Sequence, residues 1–365
     1  KPVAKKEFKV LENYAKSVDD IESLEKWDVT FYSDMYKKFK YNIDQEELKP
    51  YFSLDNVLNG AFTISNKLYG LKFKKVTDID TYNKEVNTYE VRDEKNSFIA
   101  LLYTDFHPRE GKRGGAWMTS YKSQYIYKKN NERPHISIVC NFTRPIKNKP
   151  SLLTFNEVTT LFHEFGHALH GILANTKFKS LSGTNVSWDF VELPSQIFEN
   201  WCYEKEALNL FAFHHKTKEL IPIELIQKIK NSANFNQASQ TLRQLSFAIL
   251  DMSWHNCNPI KVKSVKDFEA KILETLTFTK DLEKTCMSTS FSHIFQGGYS
   301  AGYYSYKWAE VLDADAFEYF KEKGIFNKSI ASKFKNNILS KGGTEDPMDL
   351  YIKFRGRKPT INALL

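Results

Sequence analysis

No run of about 18 apolar residues occurs in the chain, so no membrane-spanning helix is expected. Cysteine is scarce: four in 365 residues, at Cys140, Cys202, Cys257 and Cys286, with no Cys-x-x-Cys pair. So sparse a set reads as buried free thiols rather than as a disulfide framework. The net charge is +8, yet there is no basic arm and no base-stacking motif; Lys is interleaved with Asp and Glu along the whole chain. Nucleic-acid binding is therefore not expected, and the basic surface reads as solvated lysine. No signal-peptide pattern is visible behind Lys1. The cytoplasm is the expected compartment, a periplasmic or exported form the alternative, and a monomer the expected state.

What the chain does contain is His163-Glu164-Phe165-Gly166-His167, a His-Glu-x-x-His pattern. Residues four apart share a helix face, so His163 and His167 can present their imidazoles to one ion, and two neutral imidazoles suit Zn²⁺. Glu164 lies one position on, beside the ion rather than on it, where it can take a proton from water. Five-residue matches arise by chance, but the context is helical. Thr154-Phe155-Asn156-Glu157 has the form of a capping box, and Val158, Leu161, Phe162, Phe165 and Leu169 continue at helical spacing.

A third ligand must come from elsewhere. A metzincin would place Gly and then His after the second His; here those positions hold His170 and Leu173. The remaining solution is a carboxylate from a following helix. Pro194 is tolerated only in a first turn, so a helix should start near Glu192, with its body over 195–203. Glu192 is the expected ligand and Asp189 the runner-up. Glu199, seven positions after Glu192, shares that face and is, with Asp189, a candidate to orient the imidazoles; an ordinary exposed charge is the competing reading. His170 is expected to pack or to support the ligands.

The chain resembles the thimet oligopeptidase and dipeptidyl carboxypeptidase family of zinc peptidases. The resemblance rests on His163 to Gly171, Asp189-Phe190-Val191-Glu192-Leu193-Pro194-Ser195-Gln196 and Glu199-Asn200-Trp201. It extends upstream to Lys112-Arg113-Gly114-Gly115-Ala116-Trp117-Met118 and downstream to His293-Ile294-Phe295-Gln296-Gly297-Gly298-Tyr299 through Tyr306, Gly342 to Pro347, and Phe354 to Arg357. The spacing from His293 to Tyr299 is more like the dipeptidyl carboxypeptidase branch. The resemblance implies a mainly α, zincin-like (neurolysin-like) catalytic domain with a small β-sheet, one Zn²⁺ per chain and short peptides as substrates. The implied activity is release of C-terminal dipeptides; internal cleavage, or a metal-stabilised peptide-binding fragment without turnover, are the alternatives. It also implies that Tyr299 and Tyr306 contact the reacting carbonyl region, that His293 assists, and that Tyr303 and Gly298 contact substrate. On their own residues, 293–306 read equally as a Gly-rich turn with aromatic packing. The family's long N-terminal helical region is expected to be absent.

Two regions are expected, 1–150 (a helical segment plus a small mixed sheet) and 151–365 (zinc-binding and cleft helices). Helices are expected over 19–41 and 54–71, strands over 87–91, 98–103 and 135–142, and mostly helix after Tyr203. The first 17 residues show no clear period. The stripe Leu242, Leu245, Ile249 and Met252 is expected in the core, as are Tyr304 and Trp308. Residues 135–141 lie just before the zinc helix; if they are the sheet's edge strand beside the site, they could pair an extended substrate. In the turn-rich loop 105–115, Arg109, Lys112 or Arg113 is a candidate to hold a terminal carboxylate, with a solvated loop as the alternative.

Overall fold

A computed structural model describes residues 1–279 and 283–365. The chain forms two compact units: residues 1–44 with 227–308, and residues 45–226 with 309–365. This division cuts across a split at residue 150.

In the first unit, helix α1 (Pro2–Val18) buries Ala4, Leu11 and Ala15. The start of the chain is thus a continuous helix, its period hidden because two of the three buried positions are alanine. Helix α2 (Val29–Tyr41) begins ten residues later than the apolar spacing suggests. Over 19–28 the acidic and hydroxyl side chains bind locally instead: Ser23 donates to Glu25, the Glu25 amide to Asp28, and the Tyr32 hydroxyl to Asp19.

In the second unit, helix α3 (Leu54–Tyr69) starts on a Ser53 cap and stops at Gly70, whose φ of 71° is glycine territory. The five-stranded sheet that follows comprises β1 (Lys72–Val76), β2 (Asn87–Arg92), β3 (Phe98–Asp105), β4 (Trp117–Lys122) and β7 (His135–Val139), in the order β1-β2-β3-β7-β4. A two-stranded ribbon pairs β5 (Tyr125–Tyr127) with β6 (Asn130–Glu132). The pairing of β3 with β7 is parallel and the others are antiparallel. The condition that 135–141 form the edge is not met: β7 is interior, and the edge on that side is β4. Sequence reading passed over β4 because it follows a glycine loop and is only part-buried, without the alternation that marks a half-buried strand.

Helix α4 (Phe155–Ile172) packs on this sheet. Its capping box is complete: the Thr154 hydroxyl accepts from the Glu157 amide, and the Glu157 carboxylate accepts from the Thr154 amide. Phe162 and Phe165 are fully buried and stack against Phe198. After α4 come the short α5 (Trp188–Val191) and α6 (Leu193–Glu199), the latter running on as 3₁₀ helix over Asn200–Tyr203.

Helix α7 (Gln237–His255), back in the first unit, receives the Glu7 carboxylate at its N-terminus, where Glu7 accepts from the amides of Ala238 and Ser239. Leu242 is buried, but Leu245, Ile249 and Met252 are 41%, 42% and 46% exposed, so most of the expected core stripe faces outward. Tyr304 is likewise exposed and not in the core.

Candidate active site

Two helices build the site in the second unit. Gly166 lets them meet. A Cβ there would lie 2.2 Å from the Pro194 carbonyl oxygen and 2.6 Å from Ser195 Cα, so only glycine allows α4 and the start of α6 to approach this closely. Glycine inside a helix costs about 1 kcal/mol relative to alanine; here it sets the crossing that carries Glu192 to the histidines.

The ligand atoms of His163, His167 and Glu192 lie within 4.8 Å of one another. Both imidazole Nε2 atoms point at one carboxylate oxygen, Glu192 Oε2, at 3.2 Å from His163 and 3.1 Å from His167. Glu192 is buried and also accepts from the Ser195 hydroxyl at 2.8 Å. On the far side of His163, Nδ1 lies 2.7 Å from Glu199 Oε1. With Nδ1 donating to Glu199, it is Nε2 that the neutral ring would offer to an ion at the cluster. Ser195 was not foreseen in this role; its position three residues after Glu192 in a helical turn is the signal that would have found it.

The electrostatics are those of a cation site. Burial disfavours charge on His163, but Glu192 and Glu199 outweigh it and hold its pKa well above the usual histidine value. Burial likewise opposes ionisation of Glu192, yet His167 and His163 hold its carboxyl well below the usual range. Positive charge is therefore stabilised at the point where the three side chains converge, and a divalent ion with two nitrogen ligands and one carboxylate ligand fits that donor set. Metal binding would replace the proton that the carboxylates otherwise hold on the ring.

Glu164 is buried, and its Oε2 has no hydrogen-bond partner among the described residues. Burial is the largest influence on it and raises its pKa against the pull of His163 and His167. A buried carboxyl oxygen without a partner is costly to fold, and here it lies beside the cluster. Asp189, in the first turn of α5, is not among the convergent ligand atoms. His170 is wholly buried with both ring nitrogens lacking partners among the described residues, and burial pushes its pKa down to about 3. It is a neutral packing residue.

The aromatic segment belongs to the first unit and forms a cluster of its own. Tyr299 stacks on Tyr306 with centroids 5.1 Å apart, Tyr303 lies 5.1 Å from Tyr306, and His293 lies 6.2 Å from Tyr299 and 6.1 Å from Tyr303. Gly298 takes φ 90° in the turn. The residue that organises this turn is Asp251 of α7, which no motif marked. It is fully buried, and accepts from the amides of Ala301 and Tyr303 at 2.9 Å each, while His255 Nδ1 lies 2.8 Å from it.

The cationic loop resolves differently from expectation. Arg109 makes a two-pronged pair with Asp105, at 2.7 and 2.8 Å. The Lys112 ammonium is buried on Asp105 Oδ1 at 2.9 Å and on the carbonyls of Asp105, His107 and Cys140. Both cations are structural, and neither is presented to a ligand.

Comparison with known proteins bears on the family of the chain. The profile of peptidase family M3 matches residues 1–365. Oligopeptidase A of Escherichia coli (strain K12) is 43% identical over 374 residues, covering 100% of this chain and 54% of its own length. Dipeptidyl carboxypeptidase of the same strain is 40% identical over 347 residues, covering 94% of this chain and 50% of its own. The chain spans about half the length of the curated relatives it matches. Among solved structures, PZ peptidase A with inhibitor 2 aligns at a TM-score of 0.51 and 15% identity over 99% of this chain and 54% of that one, a likeness of fold.

Proposed function

This chain belongs to peptidase family M3, and on that premise we propose that it hydrolyses peptide bonds in short oligopeptides with one zinc ion held by His163, His167 and Glu192. The observation that carries the reading is the convergence of those three ligand atoms beside a buried, unpartnered carboxyl oxygen of Glu164. Zinc in such a donor set supplies a Lewis acid and lowers the pKa of water towards ~7. Glu164 takes the proton of the attacking water and returns it to the leaving amine; its raised pKa suits both halves of that exchange. Glu199 holds the His163 ring in its ligating tautomer, and Ser195 steadies the Glu192 carboxylate. The roles of Tyr299 and Tyr306 as donors to the oxyanion, of His293 as their assistant, of Tyr303 and Gly298 as substrate contacts, and of Asp189 in support of the ligands rest on the sequence resemblance.

Release of C-terminal dipeptides requires a cation beyond the cut. The engagement of Arg109 and Lys112 with Asp105 removes two of the three candidates in the loop and favours internal cleavage as a second reading. Mass analysis of products from a quenched peptide with a free C-terminus separates the two: a released C-terminal dipeptide supports the first, internal fragments the second. Binding of zinc and peptide without any products would leave a peptide-binding protein in place of a peptidase.

A further inference from the structure

We propose that Arg113 is a specificity residue, which recognises a carboxylate on the C-terminal side of the scissile bond. The inference rests on the peptidase reading above and adds the substrate class to it.

Loop 105–115 carries three cations, and the fold sorts them. Arg109 and Lys112 turn inward to Asp105. Arg113 is exposed, and its guanidinium makes no ion pair or hydrogen bond among the described residues; its one contact is with the face of Trp117, 5.4 Å from the ring centroid. A guanidinium held over an aromatic face by a cation–π contact keeps its N–H donors open, and such a fork suits a carboxylate.

The loop is also in the right place. Trp117, the first residue of edge strand β4, pairs with Val139 of β7. Helix α4 packs on both β7 and β4: a Cβ on its Gly171 would lie 2.6 Å from Ile136 Cδ1 and 3.1 Å from Met118 Cε, and Glu164 lies about two turns earlier on the same helix. Asn141 carries the register beyond the strand, donating to the carbonyls of Arg113 at 3.0 Å and Gly115 at 2.8 Å. A Cβ at Gly111, Gly114 or Gly115 would meet nothing within 4 Å, so the front of this loop is open to an approaching chain. An extended peptide that adds antiparallel to an exposed sheet edge runs opposite to it. Along β4, its N-terminal part would lie towards Lys122 and its C-terminal part would pass Trp117 towards Arg113. The carboxylate met there is either the free C-terminus or an acidic side chain beyond the cut.

The test uses three labelled peptides of one core sequence: a free C-terminus with neutral side chains, the same peptide with a C-terminal amide, and the amide with Glu placed after the cleavage position. Binding is read by fluorescence anisotropy, and KM and kcat by product formation, for the zinc-loaded wild type and for Arg113→Gln and Arg113→Lys. Thermal melting checks that the exposed substitutions leave the fold intact. Loss of a charge-assisted hydrogen-bonded pair predicts roughly ten-fold weaker binding and higher KM in Arg113→Gln, with kcat unchanged and Arg113→Lys intermediate. The amide peptide should be unaffected. If only the free-terminus peptide responds, the carboxylate is the terminus; if only the Glu peptide responds, it is a side chain. Equal changes for all three peptides, or none for any, overturn the proposal. If wild type binds in this Arg113-dependent way but releases no product, Arg113 is a carboxylate-binding residue of a peptide-binding protein, and the peptidase reading falls.

Discussion

At the scale of single residues, the account makes Glu164 and Glu199 separable. Glu164→Gln keeps the shape of the side chain and removes its capacity to accept a proton. It should abolish turnover while zinc content, measured by mass spectrometry of the dialysed protein, stays at about one ion per chain. Glu199→Ala should instead weaken zinc binding by about 10- to 100-fold, because the His163 ring loses the partner that fixes its tautomer. A chelator competition titration reads that difference. The convergence of His163, His167 and Glu192 was legible in the sequence because it is tied to spacing: i and i+4 for the two histidines, and a proline that dates the start of the next helix for Glu192. Ser195 offered only its i+3 spacing from Glu192, and Asp251 offered no signal, because its hydrogen bonds exist only once the turn has closed.

At the scale of elements, the crossing of α4 over the start of α6 is the feature to perturb. Alanine is ordinarily the better helix residue, but at Gly166 its methyl group would meet backbone, which cannot rotate away. Gly166→Ala should therefore destabilise by about 1–3 kcal/mol and lower zinc affinity as Glu192 withdraws from the histidines. Higher stability, as helix propensity alone would give, would show that the close approach is unnecessary.

The loop of Arg109 and Lys112 makes a prediction about pH. Burial raises the Asp105 pKa, but hydrogen bonds from Arg109, Lys112 and Tyr82 prevail and hold it below the ordinary aspartate value. A lowered native pKa contributes stability that is fully present above the unfolded value, about 3.9, and is lost as pH falls through the folded value. Asp105→Asn should reduce stability at neutral pH by about 3 kcal/mol, since Lys112 is left buried without its counter-charge. It should also flatten the decline below about pH 4. Urea midpoints across that range, with and without the substitution, measure both effects. This loop was readable as turn-rich and cationic, but not as a structural clasp, because Asp105 lies at the end of a strand and is brought onto the cations by the fold.

At the scale of the whole molecule, the sequence conveyed the class of the fold better than its layout. Long periodic helices such as α4 and α3 have caps that sequence can state, and they appear where expected. The order of strands is non-local: nothing in residues 135–139 says that Trp117–Lys122 will lie outside them. The exposed stripe of α7 was misread for a related reason, since periodicity identifies an apolar face without identifying what covers it. Metal binding should couple to the stability of the second unit. At a free zinc concentration of 100 times Kd the expected gain is about 2.7 kcal/mol, and chelation should remove it.

The most direct test of the central claim is hydrolysis of an internally quenched peptide by the zinc-loaded chain, with a chelator added and zinc then restored. The account predicts cleavage that stops on chelation, returns with zinc, and is absent in Glu164→Gln at equal zinc content. Cleavage that persists through chelation, or that survives Glu164→Gln, would contradict it.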